Sequence, residues 1–241
     1  MKVLVIPDVH LKPWMFEKAA GAMRAGAADK AVCLMDLPDE WNRGFDLELY
    51  ETTFDAAIAF AKEFPDTLWC WGNHDLSYVW SLPETGYSWF AQNTVSRKLT
   101  ELQMSLRDRS QLAYVHRIDD VLFLHGGLTL HFVKAHVPAE EIGDVDAVLA
   151  RVNALGCEDM WNDDSPIWFR PQYDGAARTY KSAELLQVVG HTPVEEIERL
   201  RNVISCDVFS TYRDGRPVGT QAFPVIDTKT GEIGTVETVT F

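Results

Sequence analysis

Five short segments concentrate carboxylate, imidazole and carboxamide donors: Asp8-Val9-His10, the lone Asp36, Gly72-Asn73-His74-Asp75, His125-Gly126-Gly127 and Gly190-His191-Thr192. Residues i and i+2 of an extended chain face the same way, so Asp8 and His10 can reach one ion. Taken singly, each segment has an ordinary explanation. A D-x-H recurs by chance, a histidine at a strand end is commonly a satisfied polar residue, and Gly-Asn-His-Asp can be a tight turn with Asn in the left-handed region. In order along one chain, they specify a dinuclear metal site. Oxygen and imidazole donors with no thiolate suit Mn²⁺, Fe or Zn²⁺. Two such ions ~3.5–4 Å apart generate a hydroxide at neutral pH and clamp a phosphoryl group for in-line displacement.

The elements that must hold these donors are legible as apolar runs. Val3–Ile6, Lys30–Met35 and Thr67–Trp71 read as strands. Between them, Trp14–Ala25 and a segment capped by Asp46 and running to about Phe64 read as helices. That β-α-β-α-β order predicts parallel strands with right-handed crossovers. Further on, Ala113–Arg117 and Val121–Leu124 flank an Asp119-Asp120 turn as a hairpin, and Ala139–Ala154 reads as a helix. A wet, aromatic stretch follows from Asp159 to Tyr180. Leu185–Val189, Val203–Asp207, Thr220–Val225 and Gly234–Thr240 are strand-like, the last two separated by an Asp227–Gly231 turn. The reading is two sheets, one more parallel than the other, in one domain over 1–241. Every donor segment then sits just past a strand, where open α/β sheets place their ligands.

A net charge of −14 argues against nucleic acid and anionic membrane as partners, since both reward a basic face. It leaves room for a small anionic substrate, because bound divalent cations reverse the local field. No uncharged apolar run approaches the ~20 residues needed to span a bilayer. Cys33, Cys70, Cys157 and Cys206 show no CxxC pairing and read as small buried hydrophobes in a reducing compartment. With no signal-like leader, the expectation is a cytoplasmic protein.

The series Asp8-x-His10, Asp36, Gly72-Asn73-His74-Asp75, His125-Gly126-Gly127 and Gly190-His191-Thr192 resembles the calcineurin-like metallophosphoesterase superfamily. The resemblance implies an α/β fold, a four-layer α/β/β/α sandwich of two mixed sheets with the dinuclear metal site at the strand C-terminal ends. It implies that Asp8, His10 and Asp36 hold one ion, and that Asp36 bridges to a second completed by Asn73, His125 and His191. His74 becomes the proton donor and Asp75 its orienting partner. Many diesterases of the superfamily carry G-H-x-H, whose second histidine joins the first metal; here the tetrad is Gly190-His191-Thr192-Pro193. This pairing of HGG with GHTP looks more like the phosphoprotein phosphatases and the bacterial symmetrical diadenosine tetraphosphatases.

That resemblance implies hydrolysis of phosphomonoesters by a metal-bridging hydroxide, with a small phosphorylated compound, a nucleotide or a phosphoprotein as substrate. A phosphodiesterase, a dinucleoside polyphosphate hydrolase and a non-catalytic scaffold are the alternatives, and retention of every ligand and of His74 weighs against the last. Phosphatases of this group also grip phosphate with arginine, whose planar fork matches its oxygens. Arg170, in Ser165-Pro166-Ile167-Trp168-Phe169-Arg170, resembles such a residue. The family usually reads G-D-x-x-D-R-G after the second strand. Here Met35 replaces the glycine, Asp39 keeps its spacing, and three residues intervene before Arg43, the second candidate. Trp69 and Trp71 read as core, and the other tryptophans chiefly as structural, with several placed to wall a cleft. His116, His131 and His136 match no motif. Oligomeric state is not encoded in any of these features.

Overall fold

Strand β1 (Lys2–Ile6) is buried from Val3 onward, and its alternating side chains enter two different layers. Val3 and Val5 join Val32, Leu34, Phe123, Val188 and Ile204, whereas Leu4 and Ile6 join Phe16, Phe54 and Ile58. The two-residue period of a strand imposes this division, one face toward a second sheet and one toward helices. Each such side chain contributes ~1.5–3 kcal/mol on burial, so both layers hold the strand firmly.

The computed structural model describes residues 1–174 and 178–238. Among these, and numbering in chain order, β1, β2 (Lys30–Cys33), β3 (Leu68–Cys70) and β4 (Leu112–Ala113) run parallel in one sheet. β10 (Ala222–Asp227) and β11 (Ile233–Glu237) extend it antiparallel beyond β1. The second sheet has the order β5-β6-β7-β9-β8, built from β5 (Val115–Ile118), β6 (Val121–Leu124), β7 (Leu186–Val189), β8 (Glu198–Leu200) and β9 (Val203–Ser205). Its inner three, β6, β7 and β9, are parallel. Helix α1 (Trp14–Arg24) packs on β1 and on α2 (Leu47–Glu63), and α4 (Gln92–Ser105) packs on α2 and α3 (Asn73–Trp80); on the other side α6 (Val145–Asn153) packs on β5 and α5 (Leu130–His136) on α6. The fold is mixed α/β with two mixed sheets, as the sequence implies.

Asp46 caps α2, its side chain accepting from Leu49 N at 3.2 Å, a contact typically worth ~1 kcal/mol. Several boundaries differ from the sequence reading. β2 stops at Cys33 because Met35 and Asp36 turn to φ +58° and +44°. The helix expected over 139–154 starts at Val145, where the Asp144 carboxylate caps the amides of Asp146 and Ala147. The hairpin arm expected over 113–117 divides between the sheets: Ala113 pairs in the first and Val115 in the second. The crossing strands the amides of Tyr114 and Val115, and Asn153 Oδ1 accepts both at 3.0 Å. Helices α3 and α4 fall where the sequence reading assigns no element. The end of the strand expected at 234–240 lies outside the described residues.

Candidate metal centre

The parallel strands of both sheets deliver their C-terminal ends to one edge, and backbone bonds carry the pairing beyond the strands themselves. Val9 N, His10 N and Leu11 N donate to the carbonyls of Met35, Asp36 and Leu37 at 3.1, 2.8 and 3.0 Å. This zipper sets His10 beside Asp36. The Asp36 carboxylate is divided between tasks. Oδ1 accepts from His74 N at 2.9 Å, at the N-terminus of α3, while Oδ2 lies 3.8 Å from His10 Nε2 and 3.2 Å from His125 Nε2. An oxygen flanked by two imidazole nitrogens is where a carboxylate would have to stand to serve two ions.

The imidazoles are aimed by backbone carbonyls. His10 Nδ1 donates to Asp39 O at 2.9 Å and His125 Nδ1 to Leu34 O at 2.9 Å, which leaves each Nε2 directed inward. Three acceptors face His125 Nε2: Asn73 Oδ1 at 3.0 Å, Asp36 Oδ2 at 3.2 Å and Asp8 Oδ2 at 3.9 Å. Among the described residues His191 Nε2 is buried with no hydrogen-bond partner. A buried, unpartnered imidazole nitrogen beside this cluster of carboxylate and carboxamide oxygens fits a cation. Burial lowers the His125 pKa, but the Asp36 and Asp8 carboxylates outweigh it and raise the ring to about 9. Burial, the His125 charge and Arg170 hold His191 well below its ordinary value, neutral and able to ligate.

Two donor triads result, His10–Asp36–His74 and Asp36–His125–His191, each with its atoms within 4.8 Å of one another and with Asp36 common to both. These residues fit a pair of metal ions. Asp8 joins neither triad; both of its oxygens accept from His191 N, at 3.1 and 2.9 Å. Two glycines make room. A Cβ at Gly72 would strike the Asp36 carboxylate, and one at Gly190 the Asp8 carboxylate.

His74 and Asp75 lie side by side in sequence but not in function. Asp75 Oδ2 accepts from Asp36 N at 2.8 Å and Oδ1 from Leu37 N at 3.1 Å, pinning the β2 turn. The partner of His74 is instead Asp39, whose Oδ2 accepts from Nδ1 at 2.9 Å. The expected pairing of His74 with Asp75 is therefore corrected, because an N3 side chain of α3 faces back to its own N-terminus. Asp39 is 2% exposed and held by the hydroxyls of Tyr50 (2.8 Å) and Tyr78 (2.6 Å). Burial opposes a charged His74, yet Asp36 and Asp39 raise it to about 10.

Of the two arginines, only Arg170 is at the site. Its Nη1 donates to His191 O at 3.0 Å and Thr192 Oγ1 at 3.2 Å, and it lines a cavity of about 460 Å³ with His10, Asp36, Asn73 and His74. The two glycines of His125-Gly126-Gly127 explain its placement: Gly126 N and Gly127 N donate to Pro166 O and Phe169 O, at 2.8 and 3.0 Å, fixing the strap that carries Trp168 and Arg170. Arg43 is corrected to a surface residue. It is 57% exposed and pairs with Asp46 at 3.5 Å, while the inserted residues turn Trp41 and Asn42 to the cavity in its stead.

Trp69 and Trp71 are buried as expected, and Trp41 and Trp168 line the cavity. Sequence reasoning missed two further carboxylates there. Asp207, two residues past β9, is 1% exposed and accepts from Ser210 Oγ at 2.8 Å. Glu84 accepts from Asn73 Nδ2 at 2.6 Å. Asp207 sits at a strand end like the other donors, a signal that was available; Glu84 lies in a loop and had none.

The family model for calcineurin-like phosphoesterases matches residues 1–213. No curated protein matches the chain. Among solved structures, a cold-active protein tyrosine phosphatase at 17% identity covers 97% of this chain and 78% of its own, with a TM-score of 0.56. The cold-active protein-tyrosine phosphatase of a psychrophilic Shewanella species, also at 17% identity, covers 98% and 80% with a TM-score of 0.54. These likenesses concern the fold. No helix among the described residues is long and apolar enough to cross a membrane. With the family's ligand series at the strand ends and its model matched over most of the length, the chain belongs to the calcineurin-like phosphoesterases and is a phosphoester hydrolase.

Proposed function

We propose that the chain hydrolyses phosphomonoesters at a dinuclear centre held by Asp8, His10, Asp36, Asn73, His125 and His191. When bound, the two ions lower the pKa of water and polarise the phosphoryl oxygens. The observation that carries the monoester reading is the Thr192–Arg170 contact. Where G-H-x-H enzymes place a second imidazole this chain has Pro193, and the preceding Thr192 Oγ1 accepts from Arg170 Nη1 at 3.2 Å, so a guanidinium flanks the centre. A monoester dianion carries one more negative charge than a diester and gains more from that fork. Arg170 orients the phosphate, and Trp41 and Trp168 wall the space left for the leaving group. His74, kept protonated by Asp39, donates to the leaving oxygen, a contribution typically worth ~10²–10⁴-fold. The same reading takes 1–241 as one domain, with β10 and β11 continuing the first sheet past the matched region.

The test is hydrolysis of matched aryl phosphate monoester and diester substrates by Mn²⁺-loaded protein, with Asn73→Ala as control. Monoester turnover that vanishes in the control supports the reading, and a panel of nucleotides, dinucleoside polyphosphates and phosphotyrosine peptides then narrows the substrate. Preference for the diester refutes it.

A further inference from the structure

Asn73 poses a problem that no other ligand of the centre does. Its side-chain oxygen and nitrogen are nearly the same shape, but only the oxygen can bind a cation. Packing alone does not choose between the two orientations. The choice falls to what faces the two ends of the amide, and at the nitrogen end the structure puts a carboxyl oxygen placed to accept. Glu84 Oε1 takes a hydrogen bond from Asn73 Nδ2 at 2.6 Å, while Asn73 Oδ1 points at His125 Nε2, 3.0 Å away. The Glu84 side chain is 12% exposed, so water competes little for it.

The loop that carries Glu84 is folded to reach this point. Ser81, in the left-handed region at φ +55°, closes α3 and reverses the chain, and Leu82 N donates to Ser77 O at 2.9 Å. Gly86, at φ +96°, lets the loop lie on the site: a Cβ there would stand 3.3 Å from His74 Cε1 and 3.4 Å from Asp39 Cβ. Glu84 Oε1 is also 3.7 Å from His74 Nδ1, beside the shorter Asp39 contact. The loop thus returns a carboxylate to the helix N-terminus from which it came.

We propose that Glu84 is a positioning residue of the metal centre, holding the Asn73 carboxamide with Oδ1 turned toward the second ion. The proposal rests on the dinuclear reading above, and its test separates the two. Metal-stripped wild type, Glu84→Ala and Glu84→Gln are titrated with Mn²⁺ by calorimetry, and the exchange-coupled Mn²⁺ pair is followed by electron paramagnetic resonance. Second-sphere partners of metal ligands are typically worth ~10–100-fold in affinity. Glu84→Ala is therefore expected to keep the first ion and bind the second ~10–100-fold more weakly, losing the coupled signal. Glu84→Gln, whose carbonyl can accept the same bond, should restore most of both. Wild-type affinity for both ions in Glu84→Ala overturns the assignment. So does equal loss of both ions in both variants with a lowered Tm, which marks a merely structural role. A wild type that takes up fewer than two ions overturns the metal-centre reading and this assignment with it.

Discussion

Replacing Asp39 by Asn tests the least expected contact at the site. The substitution keeps shape, and Asn Oδ1 can still accept from Tyr50 and Tyr78, so the fold should survive. What changes is the charge next to His74. With Nδ1 2.9 Å from Oδ2 and the charge centres ~4 Å apart, an effective dielectric of ~20 gives up to ~4 kcal/mol. Screening by the partly open His74 face leaves a shift of ~1–3 pKa units. Removing the carboxylate lowers the His74 pKa from its raised position near 10. A general acid works only while protonated, so the alkaline limb of kcat should move to lower pH by ~1–3 units. Bound ions lower the starting value in both proteins, and the difference between them is what is read. The assay is the pH profile of kcat on an alkyl phosphate and on a nitrophenyl phosphate. The alkoxide needs a proton and the nitrophenolate hardly does, so the variant should lose much of the ~10²–10⁴-fold acid contribution on the first and little on the second. Equal losses on both substrates with an unmoved alkaline limb would refute the pairing.

Further outcomes follow from the same geometry. Arg170→Ala removes charge-assisted bonds worth ~1.5–3 kcal/mol and should cut kcat/KM by ~10–100-fold, whereas Arg43→Ala, on the surface, should change it by no more than about twofold; steady-state kinetics of the pair decides whether the corrected placement holds. Gly190→Ala forces a methyl into the Asp8 carboxylate, and overpacking of ~1–3 kcal/mol should lower Tm by ~2–12 °C and weaken metal uptake, read by calorimetry and metal analysis. In the metal-free chain His125 and His74 are raised to about 9 and about 10 against an ordinary 6.5. Their stabilisation is full below about 6.5 and fades as pH rises through 9 to 10, while an ion at His125 must displace a proton. The Tm gap between metal-loaded and metal-free protein should therefore widen from about pH 6 to about 9, and a constant gap would contradict the raised histidines.

The proposed ligands were legible because each lies within a few residues of an apolar run, where strand periodicity already fixes direction: Asp8 past β1, His125 directly past β6 and His191 one residue past Gly190. The His74 partner was not, because the family resemblance pointed to Asp75, its neighbour in sequence. The true contact depends on Asp39 adopting φ +65° and on tyrosines 11 and 39 residues away. Arg43 failed for a similar reason, since its loop conformation follows from tertiary bonds such as Trp41 Nε1 to Thr211 O at 3.0 Å. Helix α4 did carry a signal. Val95, Leu99 and Leu102 are spaced for one helix face and all are buried, with Lys98 laid over them to reach Asp55 and Glu101. That stripe is short and flanked by charge, and it lacks a side-chain N-cap.

Met35 shows which features of the site are negotiable. Relatives usually place glycine there, and the torsion of φ +58° explains why. A residue with a Cβ in the left-handed region costs ~1–2 kcal/mol. The Met35 side chain is fully buried, a gain of ~1.5–3 kcal/mol that offsets the torsion. The flanking amide of Asp36 is held by Asp75, so the turn keeps its shape without glycine. His10 and His191, at φ +42° and +61°, hold the same left-handed torsion at two of the proposed ligands. Gly72 and Gly190 are different, for there the obstacle is the oxygen of a ligand carboxylate and no packing gain relieves it. Strain at this centre is thus tolerated in torsions but not in contacts. Asp75 therefore bears on the proposed centre through the turn it holds around Asp36, not through the His74 ring.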